Sequence, residues 1–555
     1  MPTLDFKGKP IIYAHHLTVP SRTLELDAKK SLPLKGRKPS LDDNLIIHGD
    51  NLHALKALMP RYAGRVNCIY IDPPYNIGNE GWIYNDSVSS PMMKEWLKDK
   101  SPVDGEDLER HDKWLCMMWP RLQLLRELLA EDGVIFVSID DNEQHRLRMM
   151  MDEIFGEENY RNIVVVRRGV KSVQRQFKKI DRLNFGCEYV LTYSKNADFK
   201  FEHLTELLEE MEGGGWNNHW RGTDRPTMRY EIFGLIPESG QWRWSRKRSM
   251  AAIDNYARML REINKPESRI SQDEIDDWYV AQDNPEIDLL RLSSNEKPEH
   301  YVPPSDAKYL SNLWSDLKPN GSNQVKKIFG GKVFENPKST DLIRRLVRFA
   351  CSESKNAIVL DSFAGSGTTA QAVLELNKHD NGNRNFILVE CENYADKITA
   401  ERVRRVIRGI PRSKDESLKK GLGGSFTWCT LGDELSIENM LTGRKLPDYE
   451  TLARHIFRTA TGQSPDTIRK ARGEDGLFHE TKDRLFYLIY EPETAFLRSN
   501  KSALNSERAV RIAKQAKAKK KTAVVFATHK FMGQKELGQM GITFAQLPYC
   551  MNSGG

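Results

Sequence analysis

From about Asp43 onward, short continuous apolar runs alternate with stretches that repeat apolar residues at helical spacing. Leu45–His48, Val66–Ile71 and Val134–Ile139 read as strands, and Asn51–Met59, His111–Ala130 and about Glu143 to Phe155 read as helices. Strands without polar alternation are buried on both faces, so the pattern predicts a parallel sheet covered by helices on either side. Ile163–Val166 and Tyr189–Tyr193 are two further strands. Between about 197 and 319 the periodicity dissolves into Gly213-Gly214-Gly215, several tryptophans and charged helical pieces, which suits a separate domain or a large insertion. Alternation then resumes with a helix over Thr340–Ser352, a strand at Ala357–Leu360, a helix from Gly367 to about Lys378, a strand at Phe386–Val389 and a helix to about Arg408. The sheet is therefore expected in two sequence pieces. Residues 1–40, rich in Lys and Pro with little periodicity, are expected as an arm, and residues 413–555 as a distinct C-terminal α/β domain with strands at Leu485–Tyr490 and Ala523–Ala527 and a basic helix over Ser506–Lys521.

Composition narrows the class. A chain of 555 residues has room for three or four domains. Its 39% hydrophobic and 29% charged content is that of a soluble globular protein. No apolar run approaches the roughly 20 residues that span a bilayer, and the start carries no secretory pattern, so a cytoplasmic place is expected. Cys68, Cys116, Cys187, Cys351, Cys391, Cys429 and Cys550 are scattered and never form C-x-x-C, which argues against a disulfide framework and a zinc ribbon and for reduced, mostly buried thiols. The net charge of +7 is modest, but it is unevenly placed. Arg161, Arg167, Arg168, Lys171, Arg175, Lys178, Lys179 and Arg182 crowd one stretch, and Arg243, Arg246, Lys247 and Arg248 alternate with Trp242 and Trp244. Cations mixed with aromatics suit a phosphate backbone and exposed bases; a solvated charged face accounts for either cluster equally well.

Three motifs carry chemistry. Asp72-Pro73-Pro74-Tyr75 follows a strand predicted to be parallel, at the end where open α/β sheets bind ligands. Two prolines fix an extended backbone without N–H donors, so the aspartate and the carbonyls form an edge of acceptors that can hold both hydrogens of an exocyclic amine. Tyr75 offers a face for a base. Asp361-Ser362-Phe363-Ala364-Gly365-Ser366-Gly367-Thr368-Thr369 also leaves a strand and opens a helix, with glycines that permit close approach of a ligand to the helix terminus. Glu390, ending the next strand, is placed to accept from ribose hydroxyls. Taken alone, this loop also satisfies the loose G-x-G-x-x-G/A dinucleotide pattern, while the missing Gly-Lys-Ser/Thr excludes a P-loop. In Gly49-Asp50-Asn51, Asp50 could meet an adenine amine or simply cap the following helix.

Together these pieces resemble the amino-methyltransferases that act on DNA, in the β-group order of catalytic tetrad, recognition region, cofactor motif. The resemblance extends to Trp114, Pro120-Arg121-Leu122, the stretch from Asp132 to Glu143, Phe155–Asn159, Glu188–Lys195 and Asn336-Pro337-Lys338-Ser339, which are similar to the modification subunits of type III restriction systems. It covers about 41–195 and 310–410, and Gly541–Tyr549 resembles the ends of such subunits. The family implies a Rossmann-like class I methyltransferase sheet, circularly permuted, with a catalytic half over 41–195, an inserted target-recognition domain over 196–320, an S-adenosylmethionine half over 321–412 and a C-terminal domain for partner contacts or dimerisation. It implies Asp72, Pro73, Pro74 and Tyr75 as catalytic residues, with Asp72 and Pro73 on the target amine. Asp361, Phe363, Gly365, Gly367 and Thr368 would line the cofactor, Glu390 would hold its ribose, Asp50 would face its adenine and Lys338 its methionine carboxylate. The basic residues Arg167, Arg168, Lys171, Arg175, Arg243, Arg246 and Lys247 would contact duplex DNA. Aspartate at the head of the tetrad favours adenine-N6 over cytosine-N4 transfer, without a metal. A homodimer is expected near the nucleoid, and a separate ATP-dependent helicase and nuclease subunit would supply the motor that this chain lacks.

Overall fold

The computed structural model of the chain describes residues 3–77, 110–169, 183, 185–201, 205–282, 287–351, 354–434, 446–461, 465, 468 and 475–547. Two compact units divide it, residues 1–202 with 312–555, and residues 203–311.

The first unit is built on a ten-stranded sheet. Its strands are β1 (Arg22–Leu32), β2 (Leu45–His48), β3 (Val66–Ile71), β4 (Leu129–Ile139), β5 (Tyr160–Arg167), β6 (Cys187–Ser194), β7 (Leu313–Trp314), β8 (Ile358–Asp361), β9 (Asn385–Glu390) and β10 (Phe426–Glu434). They lie in the order β1-β10-β2-β9-β8-β3-β4-β6-β5-β7. From β10 to β4 all neighbours are parallel. β6 runs antiparallel to both β4 and β5, and β1 runs antiparallel to β10, so the sheet is mixed where the alternation alone predicts a parallel one. The two sequence pieces interleave: β9 and β8 insert between β2 and β3.

Strand alternation sends successive side chains to opposite faces, and each half of the chain covers one face. Leu45, Ile47, Ile69, Ile71, Ile135 and Val137 pack with helices α1 (Asn51–Tyr62), α2 (Arg110–Leu128) and α3 (Gln144–Phe155). Ile46, Cys68, Tyr70, Val134, Phe136 and Val359 pack with α4 (Thr340–Cys351), α5 (Thr368–Asp380) and α6 (Glu401–Arg408).

Residues 1–40 are not a free arm. Phe6 and Ile12 are buried, Lys9 Nζ pairs with Glu153 at 2.7 Å, and β1 forms the edge of the sheet. The expected boundary at 412 also falls short, because β10 lies beyond it and pairs with β2. Beyond β10, strands 477–480, 484–488, 522–527 and 542–546 form a four-stranded sheet, with the helix Tyr449–Thr461 packed on one face and Ser506–Ala518 on the other.

The second unit has a three-stranded antiparallel sheet (215–218, 290–292, 298–302), two ribbons (205–212 with 305–309, 220–221 with 241–242) and the helices Arg246–Ile263 and Gln272–Val280. One small core gathers Tyr256, Met259, Trp278 and Tyr301, and another gathers Ile232, Trp242, Ala252 and Leu290.

Candidate active site and cofactor pocket

Because β2, β9, β8 and β3 are consecutive parallel neighbours, their C-terminal ends open on one edge of the sheet. There stand Asp50 just past β2, Glu390 ending β9, Asp361 ending β8 and Asp72 just past β3. Residues far apart in sequence thus meet at the position where open sheets bind ligands.

The tetrad loop is clamped on both sides. Trp114 Nε1, on α2, donates to the Pro74 carbonyl at 2.7 Å. That bond uses one lone pair of the Pro74 carbonyl and fixes the loop against α2. Asn76, which follows the tetrad in the left-handed region (φ 59°), donates to the Arg110 carbonyl at 3.2 Å and to Glu143 Oε1 at 2.7 Å. Glu143 is fully buried at the start of α3 and also bonds His111.

Lys338, expected near the methionine carboxylate, turns its ammonium to the tetrad. Its ammonium lies 3.3 Å from Asp72 Oδ1 and 2.8 Å from Glu188 Oε2, donates to the Tyr75 hydroxyl, and sits 4.9 Å from the centre of the Tyr75 ring. Glu188 reaches this corner because β6 runs antiparallel, which brings its N-terminal residues to the C-terminal edge of β3 and β4. Burial pushes the Asp72 carboxyl upward; Lys338 pulls it back and Glu188 pushes it further. For Lys338 itself burial favours the neutral amine, but the charges of Asp72 and Glu188 together outweigh it and hold the ammonium above its ordinary range. Burial, Asp72 and Glu188 all drive the Tyr75 phenol well up, so it remains protonated.

The glycine loop is held by carboxylates that take neutral donors. Asp361 accepts from the Phe363 amide (3.0 Å) and from the Thr369 hydroxyl, and burial raises its carboxyl to about 7. Glu390 accepts the Gly365 amide at 2.7 Å and the Glu392 amide at 3.0 Å, and is also raised by burial. Gly367 has φ 79°, and a Cβ there would stand 3.0 Å from the Thr399 carbonyl, so backbone conformation and close packing both require glycine. Gly365 lies under Phe334, whose ring would be 3.3 Å from an added Cβ and which packs edge-on against Tyr394. Thr368, expected to line the cofactor, turns its hydroxyl inward: it accepts from Arg402 at 2.8 Å and donates to the Lys338 carbonyl at 3.3 Å. Arg402 is fully buried and also bonds Ser366 and Gln371, at 2.8 Å each.

Asp50 caps α1, accepting from the Leu52 amide at 2.9 Å, and its second oxygen stands 3.3 Å from Arg121. Next to it, Asn51 donates to the Ser362 carbonyl at 2.9 Å and accepts from Arg121, tying α1 to the glycine loop. Sequence reasoning assigned no role to Glu188, Asn51, Arg121, Phe334 or Arg402. Their only linear signal is proximity to quoted motifs: Phe334 shortly precedes Asn336-Pro337-Lys338-Ser339, and Glu188 and Arg121 lie within quoted stretches.

The basic clusters divide. Arg167 is exposed and Arg168 half-buried at the end of β5, while Lys171 and Arg175 lie outside the described residues. In the second unit Arg246 and Lys247 are exposed at the start of a helix and Arg243 is half-buried. Trp242 cannot stack on a base: it is 4% exposed and its indole donates to the Tyr230 carbonyl. Arg248 lies over Trp244 and is paired with Asp288 at 2.6 Å. Among the described residues no helix is long and apolar enough to cross a membrane, and no cluster of His, Cys, Asp and Glu could hold a metal ion.

The N6/N4 DNA methylase family model matches residues 66–401. The chain is 29% identical to the type III restriction-modification enzyme EcoPI Mod subunit of Escherichia phage P1, over 76% of this chain and 70% of that one. It is 31% identical to the StyLTI Mod subunit of Salmonella typhimurium, over 68% of this chain and 59% of that one. It is 30% identical to the type II methyltransferase M.KpnI of Klebsiella pneumoniae, over 62% of this chain and 80% of that one. With the tetrad and the glycine loop both inside the matched span, the chain belongs to the DNA methylase family of N6 and N4 amino-methyltransferases.

Proposed function

We propose that this chain methylates the N6 amine of an adenine flipped out of duplex DNA, using S-adenosylmethionine, as the modification subunit of a type III-like restriction system. The observation that carries this reading is the juxtaposition of Asp72 with Asp361 and Glu390 on neighbouring strand ends. The residues fit the cofactor. The Gly365 and Glu392 amides, one on each oxygen, fix the Glu390 carboxylate at the strand end where a ribose hydroxyl would meet it, and the glycines keep the loop surface free of side chains.

When bound, S-adenosylmethionine would supply an electrophilic methyl on a sulfonium: the amine nitrogen would take the methyl as the C–S bond leaves its electron pair on sulfur, and the proton the nitrogen loses would pass to the Asp72 carboxylate. Asp72 and the Pro73 carbonyl accept the amine hydrogens and direct the nitrogen lone pair, and Tyr75 stacks on the base. Positioning and fixed acceptors opposite a developing positive charge make up the catalysis. The base must first leave the stack, at a cost of a few kcal/mol. Displacement at a sulfonium carbon needs alignment and no metal.

Family membership sets aside the dinucleotide oxidoreductase reading. We take the chain order as a circular permutation, with residues 203–311 as the inserted recognition domain. Arg246 and Lys247 support that role: cations at a helix N-terminus stand against the helix dipole, an arrangement that suits a phosphate. Arg167, Arg168 and Arg243 are assigned to the same duplex. The C-terminal domain is assigned to a homodimer or to contacts with a helicase–nuclease partner.

Incubation with methyl-labelled cofactor and unmodified DNA, followed by mass analysis of nucleosides, tests the reading. N6-methyladenine is expected from the parent and none from Asp72→Ala with cofactor binding preserved. N4-methylcytosine would reassign the base, and equal loss of binding and transfer in the variant would undo the division of roles.

A further inference from the structure

The corner where Lys338 lies has a charge pattern that cofactor binding does not explain. An ammonium has three hydrogens and no acceptor. Here three oxygens surround it: Asp72 Oδ1 at 3.3 Å, Glu188 Oε2 at 2.8 Å and the Tyr75 hydroxyl. Its side chain is 13% exposed, as is that of Glu188, against 25% for Asp72, so the open side of the cluster is the carboxylate of the tetrad. Two of its hydrogens are bonded to Glu188 and to the Tyr75 hydroxyl and its charge faces Asp72, so the ammonium is turned toward the tetrad. The backbone of the same residue accepts from Thr368 on the glycine loop, so Lys338 links the two loops.

We propose that Lys338 and Glu188 are positioning residues of methyl transfer: the ammonium, anchored by Glu188, fixes the Asp72 carboxylate and the Tyr75 hydroxyl, so that the target amine meets a preset acceptor. This rests on the methyltransferase reading above. Oδ1 of Asp72 faces the ammonium, and a carboxylate so fixed still has lone pairs to offer the amine. Tyr75, held through its hydroxyl by Lys338 and at 3.4 Å from Glu188, keeps its ring in place for a base. Without the cation, Asp72 would stand in a buried corner with Glu188 and Tyr75 beside it, Tyr70 from β3, and Asp361 from β8. None of these supplies a positive charge, and the carboxyl would take up a proton at higher pH.

The test compares the full chain with Lys338→Met, Lys338→Arg and Glu188→Gln. Maximal turnover on DNA is measured across pH, and S-adenosylmethionine affinity is measured by equilibrium binding without DNA. Lys338→Met is expected to lower kcat roughly 100-fold, to move the acidic limb of the pH profile up by about one unit or more, and to leave cofactor affinity within about twofold. The direction follows from the ionised carboxylate being the competent acceptor: removing a cation raises its pKa. Lys338→Arg is expected to restore part of the rate and most of the profile, and Glu188→Gln to give a smaller loss of kcat. Circular dichroism and thermal melting establish independently of cofactor binding that each variant is folded. Loss of cofactor affinity in folded Lys338→Arg and Lys338→Met, with an unmoved acidic limb, would overturn the proposal and return Lys338 to the methionine carboxylate. An unchanged kcat would overturn it equally. A parent chain that transfers no methyl group sinks the methyltransferase reading and takes this proposal with it, an outcome separate from any result in the variants.

Discussion

Asp72 and Asp361 stand at the ends of neighbouring strands, β3 and β8, and burial pushes both carboxyls upward, yet their partners differ in kind. Asp72 faces the ammonium of Lys338. Asp361 has a backbone amide and a hydroxyl, both neutral, and its carboxyl titrates at about 7. A cation keeps a buried carboxylate anionic, whereas neutral donors hold it in place in either protonation state. On the proposed function, the difference is that between a group that presents negative charge to a substrate and one that shapes a loop.

The same substitution at the two positions sharpens the contrast. Asp72→Asn places an amide N–H where an acceptor is needed and leaves Lys338 with one anion fewer. Turnover is expected to fall roughly 1,000-fold, read by single-turnover methyl transfer, with cofactor binding retained. Gly367→Val comes next. A branched residue at φ 79°, with its Cβ 3.0 Å from the Thr399 carbonyl, strains the loop by about 1–2 kcal/mol or more. Cofactor dissociation measured by calorimetry should weaken about tenfold or more, while an unchanged constant would show that the loop does not carry the cofactor. Asp361→Asn is expected to have the smallest effect, visible in stability against pH. The folded carboxyl at about 7 lies above the unfolded value near 4, so the folded chain holds a proton that the unfolded chain releases in that window. Stability from this group is therefore lost as pH rises from about 4 to about 7. Melting temperatures of Asp361→Asn should fall less across that interval than those of the parent; parallel curves would mean that Asp361 does not titrate there.

The central strands and the two loops were legible because buried parallel strands are continuous apolar runs and their motifs are local. What was missed depends on pairing. β1 sets Leu24, Leu26 and Leu32 among Arg22, Glu25, Asp27, Lys29 and Lys30, as an edge strand that is half exposed does, so its apolar alternation is short and masked by charge. β10 lies past a plausible domain boundary, and only its register with β2 claims it for the sheet. Lys338 was read from its neighbours in sequence, but the direction of its ammonium is set by Glu188, brought from β6 by an antiparallel turn that the sequence does not announce. Trp242 looked like a stacking platform beside arginines and is a core residue, because alternation along two-residue ribbon strands is too short to reveal an inward face.

The interleaved sheet also has a consequence for biosynthesis. β2 has β9 and β10 as its neighbours, and these comprise residues 385–390 and 426–434. At about 5–20 residues per second, a nascent chain carries the apolar faces of β2 and of α1 for on the order of tens of seconds before either neighbour leaves the ribosome. Residues 203–311, with cores of their own, can condense during that interval. β2, translated early, is thus among the last strands to find its neighbours, and until then its apolar faces are covered only by provisional contacts with its own helices.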